Sequence, residues 1–169
     1  MVSRTGFAIG VPSDESLMQA GHARSQRDTM NLMPEVTGVV ETCLYVDDLE
    51  RASRFYEDIC EFKKLIGDER FTALSVADRN VLLLFRQGAT LDSIPTPGGV
   101  IPPHDGTGQQ HVAFAIPAAA EADWHRRLEE HGVAIESEVD WPRGGRSLYF
   151  RDPDQHLVEL ITPGCWSIY

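Results

Sequence analysis

Short apolar stretches recur in the same order twice along the chain. Val36–Val46, VTGVVETCLYV, is rich in β-branched residues and predicts a strand. One face carries Val39, Glu41, Cys43 and Tyr45; the other carries Val40, Thr42, Leu44 and Val46. Both faces are largely apolar, as suits a sheet covered on one side and enclosing a cavity on the other. The period then becomes helical. Asp47, with Glu50 three residues later, predicts an N-cap and capping box, and Leu49, Ala52, Phe55, Tyr56 and Ile59 form one stripe of a helix Asp48–Cys60. Short strands follow at Lys63–Ile66, Phe71–Val76 and Asn80–Arg86.

Gln87–Gln110 is crowded with Pro and Gly, which predicts a loop without regular elements, of the length found in linkers, lids and binding loops. The pattern then begins again. His111–Ile116 is a strand with bulky Val112, Phe114 and Ile116 on one face, and His111 with small Ala113 and Ala115 on the other. A helix Ala118–His131 ends at Gly132, and strands follow at Val133–Glu138, Ser147–Arg151 and Leu157–Thr162. The repeated order of strand, helix and three strands points to a duplicated module and an α+β fold class. The expected organisation is an arm at 1–35, a first βαβββ module at 36–86, a linker or lid at 87–109, a second module at 110–163 and a tail at 164–169.

The last two strands read as a hairpin joined by Asp152-Pro153-Asp154-Gln155, which fits a type I turn. Alternation then places Leu157, Glu159 and Ile161 on one face. A carboxylate among aliphatic side chains needs a partner, since burying it unpaired costs several kcal/mol or forces it neutral. The partner is a cation, a donor network or a metal: Arg146 or a backbone amide would make Glu159 structural. Aligning the two halves on their strand-to-helix corners matches Glu41 with His111 and places Leu83 opposite Glu159. Glu41 could instead pair with Arg86 or Arg146. His104, in the loop, is either without a role or a general base or extra ligand on a lid.

The chain has 169 residues with 15 Lys+Arg against 26 Asp+Glu, a net charge of −11, and no basic block, which argues against nucleic acid. No apolar run is long enough to span a bilayer. Three widely spaced cysteines, Cys43, Cys60 and Cys165, argue against a disulfide framework and for a reducing compartment, so a cytoplasmic location is expected. Residues 1–35 show no sustained period and make a poor signal peptide; Met30 and Met33 offer alternative starts.

Three segments, Glu41–Ile59, Gln110–Pro117 and Gly145–Leu160, resemble the vicinal oxygen chelate superfamily, which includes lactoylglutathione lyases, extradiol dioxygenases, fosfomycin-resistance enzymes and bleomycin-binding proteins. The resemblance implies paired βαβββ modules forming a curved mixed sheet around a cavity, with helices outside. It implies one divalent metal ion per site, Mn, Fe, Ni or Zn, held by Glu41, His111 and Glu159. Glu41, Glu159, Tyr149 and His104 are the catalytic candidates, and Arg146 and Tyr45 the candidates for binding substrate. The implied activity is Lewis-acid catalysis on a small molecule with adjacent oxygens, by lyase/isomerase or dioxygenase chemistry, in a homodimer. The alternative is a metal-free binding protein of the bleomycin-resistance type. Two positions depart from the family pattern: Glu41 stands where His or Gln is usual, and apolar Leu83 stands where the lactoylglutathione lyases place a ligand. Three ligands with open positions suit a dioxygenase or a fosfomycin-type transferase better than a lactoylglutathione lyase.

Overall fold

The computed structural model describes residues 34–169, so the expectation for the arm at 1–35 falls almost wholly outside the described residues. The first repeat comprises β1 (Glu41–Val46), α1 (Leu49–Cys60), β2 (Lys63–Gly67), β3 (Phe71–Val76) and β4 (Asn80–Arg86). A small ribbon, β5 (Ile94–Thr96) and β6 (Gly99–Ile101), follows. The second repeat comprises β7 (His111–Ala115), α2 (Glu121–Glu130), β8 (Ile135–Asp140), β9 (Arg146–Arg151) and β10 (Leu157–Ile161). The strands form two four-stranded sheets of matching order, β1-β4-β3-β2 and β7-β10-β9-β8. In each, the first strand runs parallel to the last, and the remaining pairs are antiparallel.

Strand alternation sorts the side chains as expected. Leu44 and Val46 of β1, Leu74 of β3, and Leu82 and Leu84 of β4 enter the core with Ala52, Tyr56 and Ile59 of α1. Val112, Leu148, Phe150, Val158 and Leu160 of the second sheet, with Leu128 of α2, complete the same cluster. Each of these large apolar side chains contributes about 1.5–3 kcal/mol by leaving water. The opposite faces, with Glu41, Cys43 and Tyr45 on β1 and His111, Ala113 and Ala115 on β7, are turned away from this core.

Several boundaries differ from the sequence reading. The first strand begins at Glu41 rather than Val36, although the Val40 carbonyl still accepts from Val81 N at 2.9 Å. The cap of α1 is Asp48, not Asp47: its Oδ1 accepts from Glu50 N at 2.9 Å and Arg51 N at 3.0 Å. Asp47 instead donates its backbone N–H to Asp154 Oδ1 at 2.8 Å, while the Glu50 side chain pairs with Arg54. The second helix splits into a 3-10 turn, Ala118–Ala120, and α2, because Ala120 at its N-terminus has no side chain that can cap. The β8 strand starts at Ile135, two residues later than expected. The loop after β4 does hold regular structure. Pro95 is tolerated in β5 because a two-stranded ribbon leaves outward positions that need no N–H partner. The neck of that loop is closed by His104 N donating to Thr90 O at 2.9 Å and by Asp105, which accepts from Gly88 N at 3.1 Å and Thr90 Oγ at 2.9 Å.

A buried polar knot ties the repeats together. At the β9–β10 turn, Asp152 Oδ1 accepts from Asp154 N at 2.9 Å and His156 N at 2.8 Å, and Oδ2 accepts from Tyr56 OH of α1 at 2.9 Å. His156, fully buried, accepts from Gln110 N through Nδ1 at 3.0 Å and donates from Nε2 to Tyr45 O at 2.9 Å. An amide N–H can only donate and a carbonyl can only accept, so the pair of bonds fixes the Nε2–H tautomer. Burial raises the Asp152 carboxyl above its ordinary range, and its hydrogen bonds pull it part of the way back.

Candidate metal centre

Two of the three expected ligands meet. His111 opens β7, and Glu159 sits at the middle of β10, its neighbour in the sheet. Glu159 is 5% exposed. Its Oε1 accepts from Tyr149 OH, directly opposite on β9, at 2.9 Å and from Ser147 Oγ, two residues along the same face of β9. Trp141 Nε1–H donates to Ser147 Oγ at 2.8 Å, which leaves the Ser147 proton for Glu159. Burial, together with the Glu159 bond and charge, raises the Tyr149 phenol, so it remains a donor at neutral pH.

With Oε1 satisfied, Oε2 is directed at His111 Nε2, 3.3 Å away. The other ring nitrogen, Nδ1, lies 3.0 Å from Leu157 O. That carbonyl only accepts, so Nδ1 carries a proton. In the neutral ring Nε2 then presents a lone pair to a carboxylate oxygen. A proton shared between the two atoms, or a metal ion bound by both, relieves that opposition of lone pairs. Two ligands about 2.1 Å from a shared ion, at angles between 90° and 109°, lie about 3.0–3.4 Å apart. The observed separation fits that window, and Nδ1–H bonded to a carbonyl is the usual outer support of a metal-bound histidine.

Glu41 does not join them. It is exposed on β1, the edge strand of the other sheet, and shares with His111 a cleft of about 910 Å³ that Glu159 does not line. Among the described residues, the one set of three His, Cys, Asp or Glu ligand atoms within 4.8 Å of one another is Glu121, His125 and Glu138. That set surrounds Arg146, whose guanidinium lies 3.0 Å from Glu138 and 2.8 Å from Asp140 and also pairs with Glu121. The guanidinium already occupies the space between these carboxylates and pairs with them as an ion-pair network.

The remaining candidates separate in the same way. Arg146 alternates with Ser147 and Tyr149 and so lies on the opposite face of β9, where it pairs with Glu121 and Glu138 rather than with Glu159 or Glu41. Tyr45 and His104 make a second cluster on the first sheet: Tyr45 OH and His104 Nδ1 are 2.7 Å apart, and the His104 ring packs edge-on against Phe85 at 4.8 Å. Neither reaches Glu159. Burial, followed by Cys43, raises the Tyr45 phenol. Ser147 and Trp141 escaped the sequence reading. The signal for Ser147 was its position two residues before Tyr149, on the same face of the hairpin as Glu159; Trp141, across a turn, had none.

The sequence profile of the Glyoxalase/Bleomycin resistance protein/Dioxygenase superfamily matches residues 38–160. The chain belongs to this superfamily. Members similar to it include the metallothiol transferase FosB of Staphylococcus epidermidis, 28% identical over 76% of this chain and 83% of its own. The catechol-2,3-dioxygenase of Bacillus subtilis is 28% identical over 79% of this chain, but the match spans only 44% of that longer protein. Among solved structures, a lactoylglutathione lyase from Agrobacterium tumefaciens has a TM-score of 0.72 and 29% identity, covering 79% of this chain and 99% of that one. The superfamily's α+β architecture is the one found here. No helix among the described residues is long and apolar enough to cross a membrane.

Proposed function

We propose that the protein is a metal-dependent enzyme of this superfamily that binds a small substrate through adjacent oxygens. The observation that carries this reading is the His111 Nε2–Glu159 Oε2 pair, whose other polar atoms are all committed and whose spacing suits one shared ion. His111 and Glu159 are the first two ligands. The third is Glu41 of a second copy of the chain, since Glu41 is exposed and stands apart from the pair in its own copy. Val39 and Ile66, 74% and 63% exposed, flank the same sheet and favour such an association.

A bound divalent ion would supply Lewis acidity to the substrate's oxygens. The chain's own part is positional. Leu157 O holds the imidazole in the Nδ1–H tautomer. Ser147 and Tyr149 hold one carboxylate oxygen and leave the other free. Tyr149, kept protonated, commits its single O–H to that hold on Glu159. The FosB and catechol dioxygenase relatives make transferase and dioxygenase chemistry the readings to separate from the lyase chemistry of the Agrobacterium protein. The separate placement of Glu41 favours one rival, a metal-free binding protein.

Elemental analysis of protein purified without added metal, repeated on Glu159→Gln and His111→Ala, tests the reading. About one divalent ion per wild-type chain, lost in both variants, is expected. A wild-type protein without stoichiometric metal even after reconstitution removes the enzyme reading. Oxygen uptake with a panel of catechols then separates dioxygenase from lyase or transferase chemistry.

A further inference from the structure

The tail after β10 does not run off into solvent. It turns back over the face that carries Glu159. Gly164 N donates to Tyr169 O at 2.9 Å, Tyr169 N to Trp166 O at 3.2 Å, and Tyr169 OH to Ile161 O at 3.1 Å. Its root crosses the β8–β9 turn in backbone contact. A Cβ added at Gly145 would stand 2.6 Å from Cys165 N, and one at Gly164, where φ is +109°, would stand 2.6 Å from Gly145 N. Both positions need glycine for the tail to seat.

Seated there, the tail turns an open sheet face into a pocket of about 570 Å³, within the range of small-molecule sites. The polar groups His111, Tyr149 and Glu159 gather together. Trp141, Trp166 and Tyr169 form the aromatic wall, and Ala113 and Ala115 leave the edge strand low. Trp166 is 66% exposed although its segment is pinned on both sides, so a broad indole face stands free beside a buried carboxylate.

We infer that the tail, through Trp166 with Trp141 and Tyr169, is the specificity wall of this pocket, and that it selects a substrate whose paired oxygens are borne on a flat aromatic or similarly planar apolar group. The inference rests on the reading of the Glu159 pocket as the substrate site. The oxygens meet the polar group of residues while the ring stacks on indole, as aromatic faces prefer in offset or edge-on arrangements. A compact aliphatic chelator would touch the polar side and leave the wall wet.

The test uses Mn²⁺-loaded full-length protein, with catechol as the planar probe and oxalate as the compact one, each titrated calorimetrically. Metal content is measured on the same samples. In Trp166→Ala the catechol-to-oxalate affinity ratio falls about tenfold relative to wild type, and Trp166→Phe restores most of it. A ratio unchanged in Trp166→Ala, or no catechol binding by wild type, overturns the inference. If wild type holds no metal, the metal reading fails separately. The wall is then read from catechol binding to the metal-free protein, where the same tenfold loss supports it and equal affinity overturns it.

Discussion

Leu83 stands in the first sheet where Glu159 stands in the second. On β4 it pairs with Cys43, two residues after Glu41; on β10 Glu159 pairs with Ala113, two residues after His111. The two parallel pairs therefore share one register, and only the second half carries a carboxylate at this position.

Restoring the symmetry is the first prediction. Leu83 is half-buried, so Leu83→Glu costs about 1–3 kcal/mol in the metal-free protein. With Glu41 beside it in a site shared between copies, the new carboxylate tightens metal binding. The expected result is a lower melting temperature without metal and a larger metal-induced rise than in wild type, followed by thermal melts with and without Mn²⁺. A smaller rise than wild type would argue that the first sheet's face never meets the His111–Glu159 pair.

Sharing also predicts complementation. Glu41→Gln and Glu159→Gln each lose stoichiometric metal as separate preparations. Mixed after unfolding and refolding, they form hybrids in which one site draws Glu41 from one copy and His111 with Glu159 from the other. Isolated hybrids should hold one ion per two chains. Hybrids that hold none would place all the ligands within one chain, and a Glu41→Gln preparation that keeps its metal would leave Glu41 out.

Tyr149→Phe removes one of the two donors to Glu159 Oε1 while Ser147 remains. Outer-shell losses of this kind cost about 10–100-fold in metal affinity. Stability should change little, because Tyr149 is only half-buried. Competition with a fluorescent chelator reads the affinity, and equal affinity in variant and wild type would remove Tyr149 from the site.

The polar knot predicts a pH dependence of stability. Burial raises the Asp152 carboxyl above the unfolded value of about 3.9. Between the two values the folded protein binds more protons than the unfolded chain, so stability falls as pH rises through that window. The contribution is fully present below the unfolded value and lost above the folded one. Asp152→Asn keeps an acceptor for the two amides and removes this slope. Asp152→Ala leaves Asp154 N, His156 N and Tyr56 OH without partners and costs about 2–5 kcal/mol. Urea titrations of both variants across pH 3–7 check the sign. A slope that persists in Asp152→Asn assigns it to another group.

The order of strands and helices within each repeat, the faces of β1, β7 and β10, and the opposition of Leu83 to Glu159 were legible in the sequence, whereas the β5–β6 ribbon was hidden by its Pro and Gly residues. They follow from periods of two and 3.6 residues and from turn chemistry, which act over a few neighbours. The same local logic marked Glu159 as a carboxylate in need of a partner, and the resemblance of three segments pointed to the superfamily. What tertiary structure decided lies at longer range. It gave the Asp152 knot to the core, because His156 and Tyr56 are far apart in sequence and meet only when the repeats dock. It took Arg146 away from the pocket, since Glu121 and Glu138 converge on it only after α2 folds over β8. It committed His111 Nδ1 to a carbonyl on the next strand and so left Nε2 facing a carboxylate. The sequence could name an acid and a base as candidates; only packing between distant segments could set which atoms face each other and which are already spent.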